Sequence, residues 1–379
     1  MIKEYEKKDG KKYWMFKAYL GIDPATGKKL YTTRRGFKTQ KEAKIAKSRL
    51  ELQAQDKQYI PEKNYTFFDI HSMWYEEYKQ TVRESTLIRV NFLFDKNILP
   101  NFGSRKISFF TAPYCQKIVS NWKKEFATYK ALRSYTSAIF DYAVRMKIIA
   151  ANPMKDIYIS KGKSVKKEEK IKYYEVGELK EFLEVAKNDQ LPLSYPLFRV
   201  LAFTGIRKGE ALALTWDDID FNNKTMRINK TIAKTMDNKI IANQPKTKSS
   251  NRELSLDDKT LEVLKKWRHD QRKYLLSHGH NSKGLNQKVF TNKENNYLYP
   301  QSPNNIQKRL CRQYGLKNIT IHGFRHTHCS LLFEAGLSIQ EVQERLGHSD
   351  IQTTMNIYAH VTKKQKDISA KKFANYINF

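Results

Sequence analysis

The stretch HGFRHTHCSLLFEAG, residues 322–336, runs on to Gly336 and reads as a helix that ends there. On a helix His322 lies one turn before Arg325, so the two side chains can converge on a single phosphate. The stretch also holds the triplet His326-Thr327-His328. A His-x-His triplet holds a metal when it lies on a strand, where residues i and i+2 face the same way. On a helix the two point apart, so no metal site is expected. His322 and His326, four apart, could share a helix face, but no carboxylate lies nearby as a third ligand.

Working outward, Ser338 and Glu341 form a capping box ahead of a helix whose buried stripe is Ile339, Val342 and Leu346. Gly347 reads as the terminator, which leaves His348 at the end of an element. Taken alone, such a histidine reads as a surface cap; in register with Arg325 and Tyr358 it reads as a phosphate donor. Tyr358 follows ten residues later, where a short helix starting near Thr353 would turn its hydroxyl toward His348. A tyrosine hydroxyl has a pKa of about 10, so as a nucleophile it needs a polarised phosphorus and help in losing its proton.

Upstream, Arg207 lies in Thr204-Gly205-Ile206-Arg207-Lys208-Gly209-Glu210, with Glu210 placed to orient it. Arg207 and Arg325 can both grip non-bridging oxygens bidentately and stay charged at any working pH. Gln244-Pro245-Lys246-Thr247-Lys248-Ser249-Ser250 is a polar turn between two predicted strands. Its two lysines, Lys246 and Lys248, are rival proton donors.

The rest of the chain looks built to hold a polyanion. It has 379 residues, enough for two or three domains, and a formal net charge of +31. Nucleic acid is the first candidate partner and an anionic membrane the second. Hydrophobic residues make up 40%, with 22 Tyr and 20 Phe, which excludes a wholly disordered basic protein. No run approaches the roughly 18 apolar residues of a membrane span. The N-terminus lacks a signal peptide's apolar region, and Cys115, Cys311 and Cys329 show no zinc or disulfide spacing. The expected location is cytoplasmic, associated with the nucleoid when DNA is bound.

Residues 1–60 carry sixteen Lys/Arg against seven Asp/Glu. Within them Lys12–Leu20 and Lys29–Phe37 read as strands, and Thr39 opens a helix with Ala43, Ala46 and Leu50 on one face. A basic sheet presenting Arg34, Arg35 and aromatics to DNA and a merely solvated hairpin are both compatible with this pattern. Residues 65–155 read as helical. Thr66 and Asp69 form a capping pair before a Phe67, Ile70, Trp74, Tyr78 stripe. Leu132, Tyr135, Ala138, Ile139, Tyr142, Ala143 and Met146 form a second buried face. Asn152-Pro153 ends the bundle, and Ser160–Lys172 reads as a linker. Beyond it, Val176, Leu179, Phe182, Leu183 and Ala186 share a helix face. Thr225–Ile232, Ile240–Ala242 and Glu253–Leu256 read as short strands.

The four boxes around Arg207, His322 to Thr327, His348 and Tyr358 together resemble the motifs of tyrosine recombinases. Within that family the likeness is to integrases of Gram-positive phages and conjugative transposons. The resemblance implies a multidomain, mainly α chain with small β-sheets. Its parts would be an arm-type DNA-binding domain with a three-stranded sheet and a helix (1–60), a helical core-binding domain (65–158), a linker (159–172), and a mixed α/β catalytic domain with a C-terminal tail (173–379). It implies Arg207, Lys246, His322, Arg325 and His348 as catalytic residues around the nucleophile Tyr358, with Lys246 as general acid because Pro-Lys-Thr before a strand matches the family pattern. The spacing of ten between His348 and Tyr358 lies within the family's range.

The same resemblance implies no cofactor and no metal. It implies double-stranded DNA with core and arm sites as partner, a homotetramer passing through a Holliday junction, and an excisionase and a host DNA-bending protein as accessory partners. Residues 359–379 would form a terminal helix docked either on a neighbouring copy or on their own domain. Two other classes use such a surface. A type IB topoisomerase shares the chemistry but does not need a basic arm domain, and a non-catalytic DNA-binding protein does not need all six positions.

Overall fold

The computed structural model describes residues 2–7, 10–22, 29–55, 65–159, 172–244, 251–284, 286–347, 354–355 and 357–358. It falls into two compact units, Met1–Lys163 and Ser164–Phe379. The expected linker segment 160–171, Lys246, Lys248, His348 and the tail 359–379 lie outside the described residues.

The first unit opens with an antiparallel sheet of β1 (Ile2–Glu6), β2 (Lys12–Ile22) and β3 (Lys29–Phe37) in that order. Helix α1 (Gln40–Gln55) follows, its first turn capped where Thr39 Oγ1 accepts from the Glu42 amide at 3.2 Å. Strand alternation sends Phe16 and Ala18 to a core shared with Ala43, Ala46 and Leu50. It also separates the two arginines expected to act together. Arg35 pairs with Met15 and is exposed, whereas Arg34 pairs with the buried Phe16 and is half-buried. Neighbours on a strand face opposite ways, so only Arg35 shares the uncovered face with Lys17, Tyr19 and Tyr31.

The helices of this unit are α2 (Phe67–Thr81), α3 (Glu84–Leu93), α4 (Leu99–Phe102), α5 (Ala112–Glu125) and α6 (Tyr129–Arg145), with one π-helical turn at Phe94–Ile98. The capping box before α2 is present: Asp69 N donates to Thr66 Oγ1 at 3.1 Å, and Thr66 N to Asp69 Oδ2 at 2.8 Å. Buried rings cluster within the core, with Phe67 centred 5.3 Å from Phe102 and 5.4 Å from Phe140, and Phe102 5.0 Å from Phe110. Of the expected stripe, Phe67 and Ile70 are buried in this core, and Trp74 and Tyr78 are half-buried and pack against it. On α6 the expected face holds at Leu132, Ile139 and Ala143, but Met146 is 53% exposed. Met146 is the helix C-cap, and the face is completed instead by Thr136 and Phe140.

In the second unit α7 (Val176–Lys187), α8 (Ser194–Thr204), α9 (Lys208–Ala213), α10 (Asp258–Ser277), α11 (Ser302–Tyr314), α12 (Ile321–Glu334) and α13 (Ile339–Leu346) surround two small sheets. Tyr174, Phe182, Phe198 and Phe324 stack through α7, α8 and α12, with successive centroids 5.4, 5.0 and 5.3 Å apart. Val176 departs from its expected place in that core. In the first turn of α7 it is exposed and lies on a surface groove with Tyr195 and Phe203.

The strands are β4 (Ile219–Asp220), β5 (Thr225–Ile228), β6 (Thr231–Lys234), β7 (Ile240–Asn243) and β8 (Arg252–Ser255). They pair as β4-β5-β8 and β6-β7. The single strand expected over Thr225–Ile232 is thus broken at Asn229-Lys230, where Lys230 Nζ turns to the buried Asp218 at 2.7 Å. As a result, the strands flanking 244–251 belong to different sheets and do not pair with each other. No helix among the described residues is long and apolar enough to cross a membrane.

Phe102→Ala should cost about 3–5 kcal/mol of stability, whereas Met146→Ala should stay within about 0.5 kcal/mol. Urea unfolding of the two variants checks the placement; equal losses would contradict it.

Candidate active site

Helix α8 stops at Gly205, whose φ of +64° and close neighbours leave room for no other residue. A Cβ there would meet the His328 ring at 2.6 Å and Leu346 at 2.7 Å. The chain then turns into α9 with Arg207 at its N-cap. Glu210, in the first turn, closes back on it. Arg207 N donates to Glu210 Oε2 at 2.9 Å, and Arg207 Nη1 donates to Oε1 at 2.8 Å. Glu210 is therefore the orienting partner that the spacing suggested, and it is buried.

Helix α12 is started by Thr320, which caps Gly323 N at 3.0 Å, and it carries His322, Arg325, His326 and His328. The His-x-His triplet accordingly lies on a helix rather than a strand. Arg325 is only 2% exposed. Its Nη1 donates to the Gly205 carbonyl at 2.9 Å and its Nη2 to the Leu346 carbonyl at 2.8 Å.

Helix α13 begins with the expected capping box, Ser338 N to Glu341 Oε2 at 2.8 Å, and ends at Gly347 in the left-handed region. Its last carbonyls have no partner within the helix. Three consecutive ones are taken by three different guanidinium groups. Arg252 Nε donates to the Arg345 carbonyl at 3.1 Å, Arg325 Nη2 to Leu346, and Arg207 Nη2 to the Gly347 carbonyl at 3.3 Å. The partial negative charge at a helix C-terminus favours such a gathering.

Charge effects follow from that crowding. Burial first, then Arg207 and Arg252, push the Arg325 guanidinium below its ordinary range. Burial opposes ionisation of Glu210, but Arg252 and then Arg207 outweigh it and hold the carboxyl low. His322 is exposed as a residue. Crowding of its ring, followed by the charges of His326, Arg325 and Arg207, lowers it to about 4. Its ring centre lies 4.8 Å from that of His326. A cluster of this kind holds more cationic than anionic charge, and a phosphate would offset the excess.

Tyr358 lies in a helical turn, 37% exposed, with its ring edge-on to Phe333 of α12 at 5.1 Å. Its neighbour Ile357 is buried with Cys329, Phe333, Val342 and Leu346. The structure thus brings Arg207, His322 and Arg325 together and seats Tyr358 further along the helix that bears two of them. Surface cavities of about 710 and 370 Å³ elsewhere in this unit include none of these residues. The cluster itself is half-open, Arg207 being 38% exposed, which suits a phosphate in a long polymer.

Sequence reading missed Arg252 and Arg345. Arg252 is a lone arginine on a four-residue strand, and Arg345 is a basic residue in a last helical turn; neither has a periodic signal. Arg345 Nη2 donates to the carbonyls of Phe203 and Ser255 at 3.3 and 3.2 Å, and its Nε to His328 Nε2 at 3.2 Å. His328 Nδ1 lies 2.9 Å from the Ala202 carbonyl and so carries the proton, which leaves Nε2 to accept.

This arrangement belongs to a known class. The chain matches the phage integrase family over residues 172–365, a phage integrase N-terminal SAM-like domain over 66–123, and an arm DNA-binding domain over 1–54. It is a member of the phage integrase family, and it is a tyrosine recombinase, an enzyme that cuts and rejoins DNA. A tyrosine recombinase XerC-like protein of Caldanaerobacter subterraneus subsp. tengcongensis is 31% identical over 95% of this chain and 95% of its own length. The Tn1549 transposon integrase, solved in complex with a circular intermediate DNA, is 21% identical and superposes with a TM-score of 0.66, covering 82% of this chain and 99% of that one. The lambda integrase tetramer bound to a Holliday junction is 16% identical with a TM-score of 0.55, covering 93% and 94%. At these identities the two structures establish the shared fold.

Burial first, and then Arg345, lower His328 to about 4. Between pH 6.5 and 4 the unfolded chain takes up a proton here that the folded unit refuses, so stability falls as pH falls, by up to about 1.4 kcal/mol per pH unit. His328→Gln, whose amide can serve both partners, should make urea-unfolding stability less steep over that window, His322 still contributing its own share. An unchanged slope would refute the neutral, doubly bonded ring.

Proposed function

We propose that the cationic end of α13 receives the scissile phosphate of a DNA duplex and that Tyr358 attacks it. A bond forms between the tyrosine oxygen and phosphorus while the bond to the 5′ oxygen breaks, which leaves a 3′-phosphotyrosyl link and a 5′ hydroxyl. Arg207 and Arg325 bind the non-bridging oxygens, and His322 and His348 donate to the same phosphate. Lys246 protonates the departing 5′ oxygen, with Lys248 the alternative donor. The 5′ hydroxyl of a partner strand then attacks the phosphotyrosine, so the phosphodiester energy is kept and ATP is not consumed.

The observation that carries this reading is the convergence of Arg207, Arg325 and Arg252 on the last turn of α13, with Tyr358 packed on Phe333, farther along the helix that bears Arg325. Phosphoryl transfer depends mostly on positioning and charge stabilisation, which such a cluster supplies. Four copies on two duplexes, strand exchange in pairs and a Holliday junction complete the cycle; the lambda integrase tetramer on such a junction supports this assembly. An excisionase and a host DNA-bending protein would set its direction. The protein would work in the cytoplasm, on the nucleoid.

The division of labour along the chain follows the sequence expectations. Residues 1–60 read arm sites, 65–158 grip the core site, and 173–379 carry the chemistry across the linker 159–172. In the first of these, the uncovered sheet face suits a phosphate backbone: Lys17 Nζ sits 4.6 Å from the Tyr31 ring centre, and Tyr31 pairs with Tyr19.

Tyr358→Phe should bind DNA normally and form no covalent adduct with a nicked suicide duplex on a denaturing gel; an adduct would move the nucleophile elsewhere. In a salt titration of arm-site binding, Arg35→Ala should lower the slope of log K against log salt by about 0.9, and Arg34→Ala should leave it nearly unchanged. Equal effects would mean that the sheet meets DNA by another face.

A further inference from the structure

Arg252 belongs to none of the family's boxes as read from the sequence, yet it lies beneath the phosphate cluster. Its side chain is 8% exposed. From β8 its Nη2 donates to Glu210 Oε2 at 3.0 Å, and its Nε donates to the Arg345 carbonyl at 3.1 Å. Glu210 is bound on its other oxygen by Arg207 Nη1 at 2.8 Å. The buried carboxylate therefore stands between two guanidinium groups, one inward and one facing the open site.

We propose that Arg252 is a positioning residue for strand cleavage. By sharing the charge of Glu210 and tying it to the last turn of α13, it aims the Arg207 guanidinium outward at the scissile phosphate. The inference rests on the reading of Arg207 as a phosphate ligand. Without Arg252, Glu210 becomes a buried carboxylate with Arg207 as its one cation, and the oxygen that Arg252 held then competes with the phosphate for the remaining Arg207 donors. Only a planar fork of donors spans a carboxylate and a helix carbonyl at once; a lysine ammonium is a single point of charge.

The test is single-turnover cleavage of a nicked suicide duplex by the full chain, read as the rate of covalent adduct formation. Binding to the same duplex and thermal melting are measured in parallel. Arg252→Met should slow adduct formation roughly 100-fold with DNA affinity nearly unchanged, as a misplacement of about 1 Å does. Arg252→Lys should recover part of the rate. The double variant Arg207→Ala/Arg252→Met should be no slower than Arg207→Ala alone, because the second change acts through a group already removed. Losses that multiply, or wild-type cleavage by Arg252→Met, would overturn the proposal while leaving the clamp intact. Wild-type cleavage by Arg207→Ala would instead overturn the clamp itself, and Arg252's role with it. If Arg252→Met melts below the assay temperature, Glu210→Gln/Arg252→Met removes both buried charges, and the same comparison with Arg207→Ala decides.

Discussion

Three arginines drawn from a helix start, a helix middle and a strand meet at the last three carbonyls of α13. Such a meeting is unfavourable by itself. Two like charges 4 Å apart repel by about 4 kcal/mol at an effective dielectric constant of 20. The repulsion is offset by the buried carboxylate of Glu210 and by the unpaired carbonyls that every helix leaves at its C-terminus. With one carboxylate set against three guanidinium groups, two of them bonded to it, the cluster keeps a positive excess, which the proposed phosphate would balance.

The rest of the unit serves to place those three side chains. Helix α12 is divided along its length: Phe324 anchors it among Tyr174, Phe182 and Phe198, while His322 and Arg325 face the site. Gly205 lets α8 end directly against His328 and Leu346, so that its own carbonyl can receive Arg325. The His328 ring then locks Arg345 by accepting from it, and Arg345 closes α8 and β8 onto α13. A half-open cationic cluster is thereby built on buried and mutually fixed parts, which is what the proposed phosphoryl transfer, governed by positioning, requires.

Charge and pleat explain the N-terminal sheet in the same terms. A net charge of +31 needs a polyanion nearby, and the face of the sheet away from α1 supplies tyrosines and a lysine to meet one. The pleat decides which arginine joins them. Arg34 is turned toward Phe16 and Arg35 away from it, a division that two adjacent basic residues do not announce.

Local signals were legible in the sequence wherever the physics is local. The capping boxes at Thr66 and Ser338, the Arg207–Glu210 pair at one-turn spacing, the helical setting of His322 and Arg325, and the stop at Gly347 depend on residues within four positions of each other. The order of the boxes was legible too, and with it the family. Contacts across long chain separations were not. Arg252 reaches Glu210 from 42 residues away and Arg345 from 93, and no periodicity records such a meeting. The break of one expected strand at Lys230 likewise depends on Asp218, a buried carboxylate in another element that draws the lysine in. The sequence alone therefore determined which groups could handle a phosphate. Only the tertiary structure decided that a helix end and one shared carboxylate would hold their charges together.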